Sequence, residues 1–140
     1  MKITALLTAR GNNTLKNKNL LKIYNKPLIA YPCIQSKKIK KINNFFVSSE
    51  DDKILKEAKR YQFKPIKRPK KLSKPNSLHY DVLTHALKYL KKKKIFPDII
   101  IVLLGNAPII KSQWIKDCLD IILKDKSISS IVPVVENSDH

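Results

Sequence analysis

Short apolar runs alternate with amphipathic stretches along most of the chain. Residues 2–8, Lys2-Ile3-Thr4-Ala5-Leu6-Leu7-Thr8, form an apolar run ending in Ala9-Arg10-Gly11, which predicts a buried strand entering a polar loop that extends to about Asn19. After Lys26-Pro27 a helical pattern begins with Leu28, Tyr31, Pro32, Ile34 and Gln35, and Pro32 falls early enough to be tolerated in the first turns. Residues 44–48 predict a second buried strand. Ser49 is the expected N-cap of the next helix, with Asp51 and Asp52 in its first turn and Ile54, Leu55, Ala58 and Tyr61 on one face. Residues 63–66 predict a third, short strand, and 67–76 an irregular loop.

From Ser77, the next expected N-cap, Leu78, Val82, Leu83, Ala86, Leu87 and Leu90 fall on one helix face. Residues 98–104 are hydrophobic on both faces, the pattern of a central parallel strand, and 105–108 form its exit loop. Ser112 is expected to cap a helix carrying Trp114, Ile115, Cys118, Leu119, Ile122 and Leu123 on one face, and 130–135 predict a last strand. This alternation predicts a single α/β domain over residues 1–140, with a Rossmann-like parallel or mixed sheet covered by helices on both faces. Ligands in such sheets bind beyond the carboxyl ends of strands, which selects the loops 10–19, 67–77 and 105–108.

Composition sharpens this picture. An apolar fraction of 43%, arranged in regular segments, excludes a disordered chain. The net charge of +18 suggests a polyanion partner, but only Arg10, Arg60 and Arg68 are arginines, and lysine runs such as 91–94 sit at predicted helix ends, where cations complement the dipole. A solvated lysine surface is therefore the first reading and a nucleic-acid patch the second. Cys33 and Cys118 have no metal-ligand spacing and are expected to be buried free thiols. Asp51 and Asp52 read as a helix start rather than a metal pair. His79 and His85, six apart, do not share a face as an i, i+4 ligand pair would, and read as structural or surface residues. No segment approaches the ~20 apolar residues of a membrane span, and no signal-peptide pattern stands at the start, so a cytoplasmic location is expected.

The loop over residues 10–19 offers cations, a hydroxyl, amides and the backbone of Gly11 directly after a buried strand. On composition it reads first as a polar surface loop and second as a phosphate site, without the glycine pattern of a Walker A or dinucleotide loop.

The order of motifs adds to that reading. Ala9-Arg10-Gly11, Lys18-Asn19 and then Lys26-Pro27-Leu28-Ile29-Ala30-Tyr31 resemble the opening of the acylneuraminate and related keto-deoxy-sugar cytidylyltransferases. Val47-Ser48-Ser49-Glu50-Asp51 is similar to their VSTDD. Arg68-Pro69, Leu72-Ser73, Ser77, Asp81-Val82-Leu83 and His85-Ala86-Leu87 resemble RPxxLAxDxxSxxDVxxHAL, and residues 98–108 resemble PDIVVLLQPTSP. The resemblance covers nearly the whole chain and implies a nucleotide-diphospho-sugar transferase type of fold, with transfer of CMP from CTP to an acidic keto-deoxy sugar, release of pyrophosphate and help from Mg2+ or Mn2+.

On this resemblance Arg10 and Lys18 hold the triphosphate and neutralise the leaving group, while Gly11, Asn12, Thr14 and Asn19 add hydrogen bonds. Arg68 and Ser77 face the base, and Asn106 and Ala107 border the sugar; no metal ligand is assigned in this chain. Asn12-Asn13-Thr14 stands where Gly-Ser-Lys is usual, and Leu104-Gly105-Asn106-Ala107 replaces Gln-Pro-Thr-Ser, which implies a different acceptor or a diverged subgroup of the family. The family's later segment, implied to carry dimerisation and metal ligands, has no counterpart among these residues, so the chain is expected to hold the nucleotide-binding half of a homodimeric enzyme serving glycan synthesis. The alternatives from other classes are a polyanion-binding protein on the same fold and an inactive or partner-dependent transferase-like domain.

Overall fold

Strand β1 (Ile3–Thr8), six buried residues long, is the line on which the domain is built. In a computed structural model that describes residues 1–11 and 13–136, it leads through a 3₁₀ turn at Lys18–Leu20 and a small hairpin, β2 (Lys22–Ile23) and β3 (Lys26–Pro27), to helix α1 (Ala30–Lys37). There follow β4 (Asn44–Ser49), α2 (Asp52–Lys59), β5 (Lys64–Lys67), a 3₁₀ turn at Lys70–Leu72, α3 (His79–Lys92), β6 (Ile99–Leu104) and α4 (Ser112–Lys124). The main sheet runs β5-β4-β1-β6 with every neighbouring pair parallel, and Leu6 of β1 stands between Phe46 and Val102.

Because strand side chains alternate, β1 feeds two cores. Ile3, Ala5 and Leu7 pack with Val47 and Leu103 against Cys33 of α1, Ile54, Leu55 and Ala58 of α2, and Ile115 and Leu119 of α4. On the other face Leu6, Phe46 and Ile66 meet Ala86 and Leu90 of α3. The expected sheet with helices on both faces is therefore present. The hairpin was not foreseen: its turn places Tyr24 and Asn25 at φ 50° and 66°, two successive left-handed residues of the kind that suits a two-residue connection, with Tyr where Gly or Asn is usual.

Several local expectations are corrected. Ser49 ends β4 instead of capping α2; the cap is Asp51, whose carboxylate accepts from the Lys53 amide at 2.8 Å, while Asp52 opens the first turn. Ser77 does not cap α3, which begins at His79 after Leu78, and Leu78 is exposed rather than on the packed face. Ser112 is the first residue of α4, its amide satisfied by Gln35 Oε1 at 2.9 Å. Cys33 is buried and its thiol is pushed up to about 12, by burial first and by Glu57, against Lys37, which makes it inert. Cys118 is only half-buried.

The largest difference lies at one sheet edge. Residues 130–135 form no strand, and Val132, Val134 and Val135 are exposed. Among the described residues β6 is consequently an edge strand, paired with β1 alone, and Val102 and Leu104 face outward instead of being covered. A strand is stabilised by its ladder and by cross-strand packing; among the described residues nothing pairs with residues 130–135, and Pro133 lacks an N–H to donate. A groove of about 410 Å³ separates β6 and α4 from residues 129–133. Among the described residues no helix is long and apolar enough to cross a membrane.

Candidate functional site

The parallel strands carry three loops to one end of the sheet, and a cavity of about 290 Å³ lies between them. From the loop after β1 come Arg10, Asn13, Lys18 and Asn19; from the loop after β5 come Arg68, Leu72, Lys74 and Ser77; from the end of β6 come Leu104, Gly105 and Asn106. Thr8 and Ala9 form the floor, with His79 and Val82 of α3 beside them. Among the described residues, four cations therefore surround the cavity and no carboxylate lines it.

The first loop is held by its own amides. Asn13 Nδ2 and Asn19 Nδ2 donate to the Arg10 carbonyl at 2.7 and 2.8 Å, and Arg10 Nε donates to Asn13 Oδ1 at 3.2 Å. Asn19 is buried, and Asn17 at φ 54° turns the chain into the 3₁₀ segment that sets Lys18 on the rim. Gly11 is needed for close approach: a Cβ there would meet the Asp51 side chain, 2.7 Å from its Cβ. Gly105 is similar, since a Cβ would lie 2.7 Å from that of Ala9.

Arg68 is buried, its Nε donating to Ser73 Oγ at 2.8 Å and its Nη2 lying 3.8 Å from Glu50 Oε2. Burial lowers its pKa, Glu50 opposes that shift and Arg10 adds to it, yet a guanidinium stays charged. Burial also pushes Glu50 upward, but hydrogen bonds from Ser73, the Gly11 N–H and its own backbone, with Arg68 nearby, outweigh it and hold the carboxyl below its usual value. Ser77 pins the second loop, donating to the Lys71 carbonyl at 2.9 Å and accepting from the Lys74 amide at 3.0 Å. His79 Nε2 lies 3.1 Å from Thr8 Oγ1, and burial, then Arg68, lowers its pKa. It therefore holds a neutral ring at pH 7.

Of the residues singled out in the sequence, the structure brings Arg10, Lys18, Asn19, Arg68, Ser77 and Asn106 to this cavity. Thr14 is exposed and does not line it, nor does Ala107. Gly11 directs its N–H to Glu50 Oε1 rather than to the cavity. Asn12 lies outside the described residues. Sequence reasoning missed Asn13, Lys74 and His79. A lysine within a Lys/Pro/Ser loop carries no signal of its own, and His79 has no ligand partner at helical spacing, although its place at the start of α3 marks it for this end of the sheet. The divalent ion implied by resemblance finds no ligand set: among the described residues no group of three or more His, Cys, Asp and Glu side chains is placed to hold a metal, and the cavity lacks carboxylates.

A family model described as cytidylyltransferase matches residues 4–139. The chain belongs to the cytidylyltransferase family. It is 26% identical over 129 residues to the Helicobacter pylori protein named pseudaminic acid cytidylyltransferase and UDP-2,4-diacetamido-2,4,6-trideoxy-beta-L-altropyranose hydrolase, a match covering 91% of this chain and 25% of that protein. It is also 26% identical over 129 residues to a Campylobacter jejuni pseudaminic acid cytidylyltransferase, covering 91% of this chain and 56% of the relative. Its fold is similar to that of a CMP:2-keto-3-deoxy-manno-octonic acid synthetase solved with CTP, with a TM-score of 0.76 and 21% identity over 91% of this chain and 50% of that one. This cytidylyltransferase chain thus spans about half the length, or less, of the relatives it matches.

Proposed function

We propose that this chain forms the CTP-binding part of an enzyme that transfers CMP from CTP to an acidic keto-deoxy sugar. The observation that carries the reading is the convergence of Arg10, Lys18 and Lys74, with the Glu50-paired Arg68 beside them, on one cavity at the carboxyl ends of the strands that no carboxylate lines among the described residues. A triphosphate carries the charge such a cavity favours, and the relatives' names supply the nucleotide and the class of acceptor. In the reaction the acceptor hydroxyl oxygen bonds to the α-phosphorus, the bond from that phosphorus to the bridging oxygen breaks, and the electron pair leaves with pyrophosphate. The acceptor's proton passes to solvent.

Arg10 and Lys18 serve this step by neutralising the charge that grows on pyrophosphate, where fixed cations in a partly desolvated site act most strongly. Arg68 faces the base. Asn106 and Gly105 border the acceptor side, with Leu104 where the family pattern has a glutamine, so the acceptor is held with fewer polar contacts there. The resemblance, and not the lining of this cavity, also supports Mg2+ or Mn2+ as cofactor, together with a cytoplasmic role in surface-glycan synthesis and a homodimeric assembly. The test is equilibrium binding of CTP, UTP, ATP and GTP to the purified chain. CTP is expected to bind at least about tenfold more tightly than the others, equivalent to about 1.4 kcal/mol. Equal binding of all four would overturn the reading in favour of a general polyanion surface.

A further inference from the structure

One side chain ties the loop after β1 to the loop after β5 without lining the cavity. Glu50 follows β4 directly, and its side chain is 9% exposed. Its Oε1 accepts from the Gly11 N–H, and its Oε2 lies 3.8 Å from Arg68 Nη2. Ser73, whose hydroxyl also hydrogen bonds to the Glu50 carboxylate, receives Arg68 Nε at 2.8 Å. Lys67 Nζ donates to the Glu50 carbonyl at 2.7 Å and to Asp52 Oδ1 at 2.7 Å, which anchors the backbone at this point. Arg68 is thus gripped through Nε and faced by a carboxylate at Nη2, and the rest of its fork of five donors is left for the cavity.

That grip decides what Arg68 can do. A buried guanidinium without a neutralising partner is costly and favours any anion within reach, which on the CTP reading would be a phosphate. Held by Glu50 and Ser73, it is instead a fixed, charge-compensated set of donors. Such a group matches cytosine, which presents two adjacent acceptors, O2 and N3, and mismatches uracil, whose N3 is a donor.

We propose that Glu50 is a specificity-determining positioning residue, which neutralises and orients Arg68 so that it reads the base instead of adding to the phosphate-binding charge. The inference rests on the CTP reading of the cavity.

The test compares binding of CTP, UTP and inorganic pyrophosphate to the full chain and to Glu50→Gln, Glu50→Asp and Ser73→Ala, with thermal unfolding of each. For Glu50→Gln the preference for CTP over UTP is expected to fall about tenfold while pyrophosphate binds about threefold more tightly, because a negative charge beside the cavity is gone. Glu50→Asp keeps the charge and is expected to keep pyrophosphate affinity at the wild-type value. Ser73→Ala changes no charge and is expected to lower CTP preference without a gain for pyrophosphate. A merely structural Glu50 would weaken all three ligands in proportion and lower the unfolding temperature, and that result overturns the proposal. So does a Glu50→Gln chain with wild-type preference and wild-type pyrophosphate affinity. A wild-type chain that binds pyrophosphate but shows no nucleotide preference overturns the CTP reading together with the base-reading role; a wild-type preference that Glu50→Gln leaves intact overturns the role of Glu50 alone.

Discussion

Replacing Gly11 by alanine would drive a methyl group into Asp51. The added carbon would lie 2.7 Å from Asp51 Cβ and 2.9 Å from its Cγ, with Oδ2 closer still. Gly11 is not among residues of positive φ, so the collision, not backbone strain, is the whole effect. The structure can respond in two ways. Asp51 can leave its capping bond to the Lys53 amide, which costs about 1 kcal/mol, or the loop can withdraw from Glu50 and lose the Gly11 N–H bond to a carboxylate, which costs about 1.5–3 kcal/mol. Either route destabilises the chain by about 1–3 kcal/mol, a fall of about 4–10 °C in unfolding temperature for a domain of this size. The control is Asp51→Gly, which opens the space and, because glycine is a tolerable N-cap, costs only a few tenths of a kcal/mol. Urea unfolding of the two single variants and the double variant should show Gly11→Ala to be nearly neutral, within about 0.5 kcal/mol, once Asp51 is glycine. An equal cost in both backgrounds, or no cost in the wild type, would refute the reasoning.

Two further predictions concern the core and the pH response. Leu103→Ala, at a fully buried position of the larger core, should cost about 2–5 kcal/mol in urea unfolding, whereas the same change at the exposed neighbour Leu104 should cost under about 1 kcal/mol. Stability should fall as the solution is acidified, in two stages. His79 and His85 both have folded pKa values below the ordinary 6.5, by burial first and then by Arg68, with Lys92 and Lys88 adding to the shift of His85. Their neutral forms thus contribute stability above about pH 6.5 that is lost as pH falls through the folded values. Glu50, held below 4.5, contributes stability that is present above that pH and lost below it. Unfolding midpoints at a series of pH values should show the first stage flattened in a His79→Gln/His85→Gln variant and the second flattened in Glu50→Gln; a profile unchanged by all three substitutions would contradict the assignment.

Most of the fold was legible because hydrophobic burial dominates it. The two-faced run of β1 and the 3.6-residue spacing in α2, α3 and α4 point to the same elements that form, and the three loops at the carboxyl ends follow from parallel topology alone. What misled the reading was local competition. Ser49 and Asp51 both suit an N-cap, and only the length of β4 decides between them. Residues 130–135 have strand composition, but composition cannot supply a neighbour to pair with, and the same missing neighbour leaves β6 at an edge. At the site, charges that reach the cavity from loops were found where a motif marked them, as with Arg10, Lys18 and Arg68. Asn13 and Lys74 carry no such mark. Glu50 was visible as part of a motif after β4, but its work depends on reaching Gly11 and Arg68 across 39 and 18 positions of sequence, contacts that no local pattern announces.

The central claim is that the cation-lined cavity binds the triphosphate of CTP through Arg10. Calorimetric titration of CTP into the wild-type chain and into Arg10→Ala tests it most directly. Arg10 lines the cavity, and its guanidinium is held there by Asn13, so its removal deletes a charge-assisted contact without disturbing the core. The expected result is CTP binding by the wild type and an affinity about tenfold to a hundredfold lower in the variant, the loss of about 1.5–3 kcal/mol that a hydrogen bond to a charged group supplies, with unfolding temperature preserved. Equal affinity of the two chains for CTP would contradict the account.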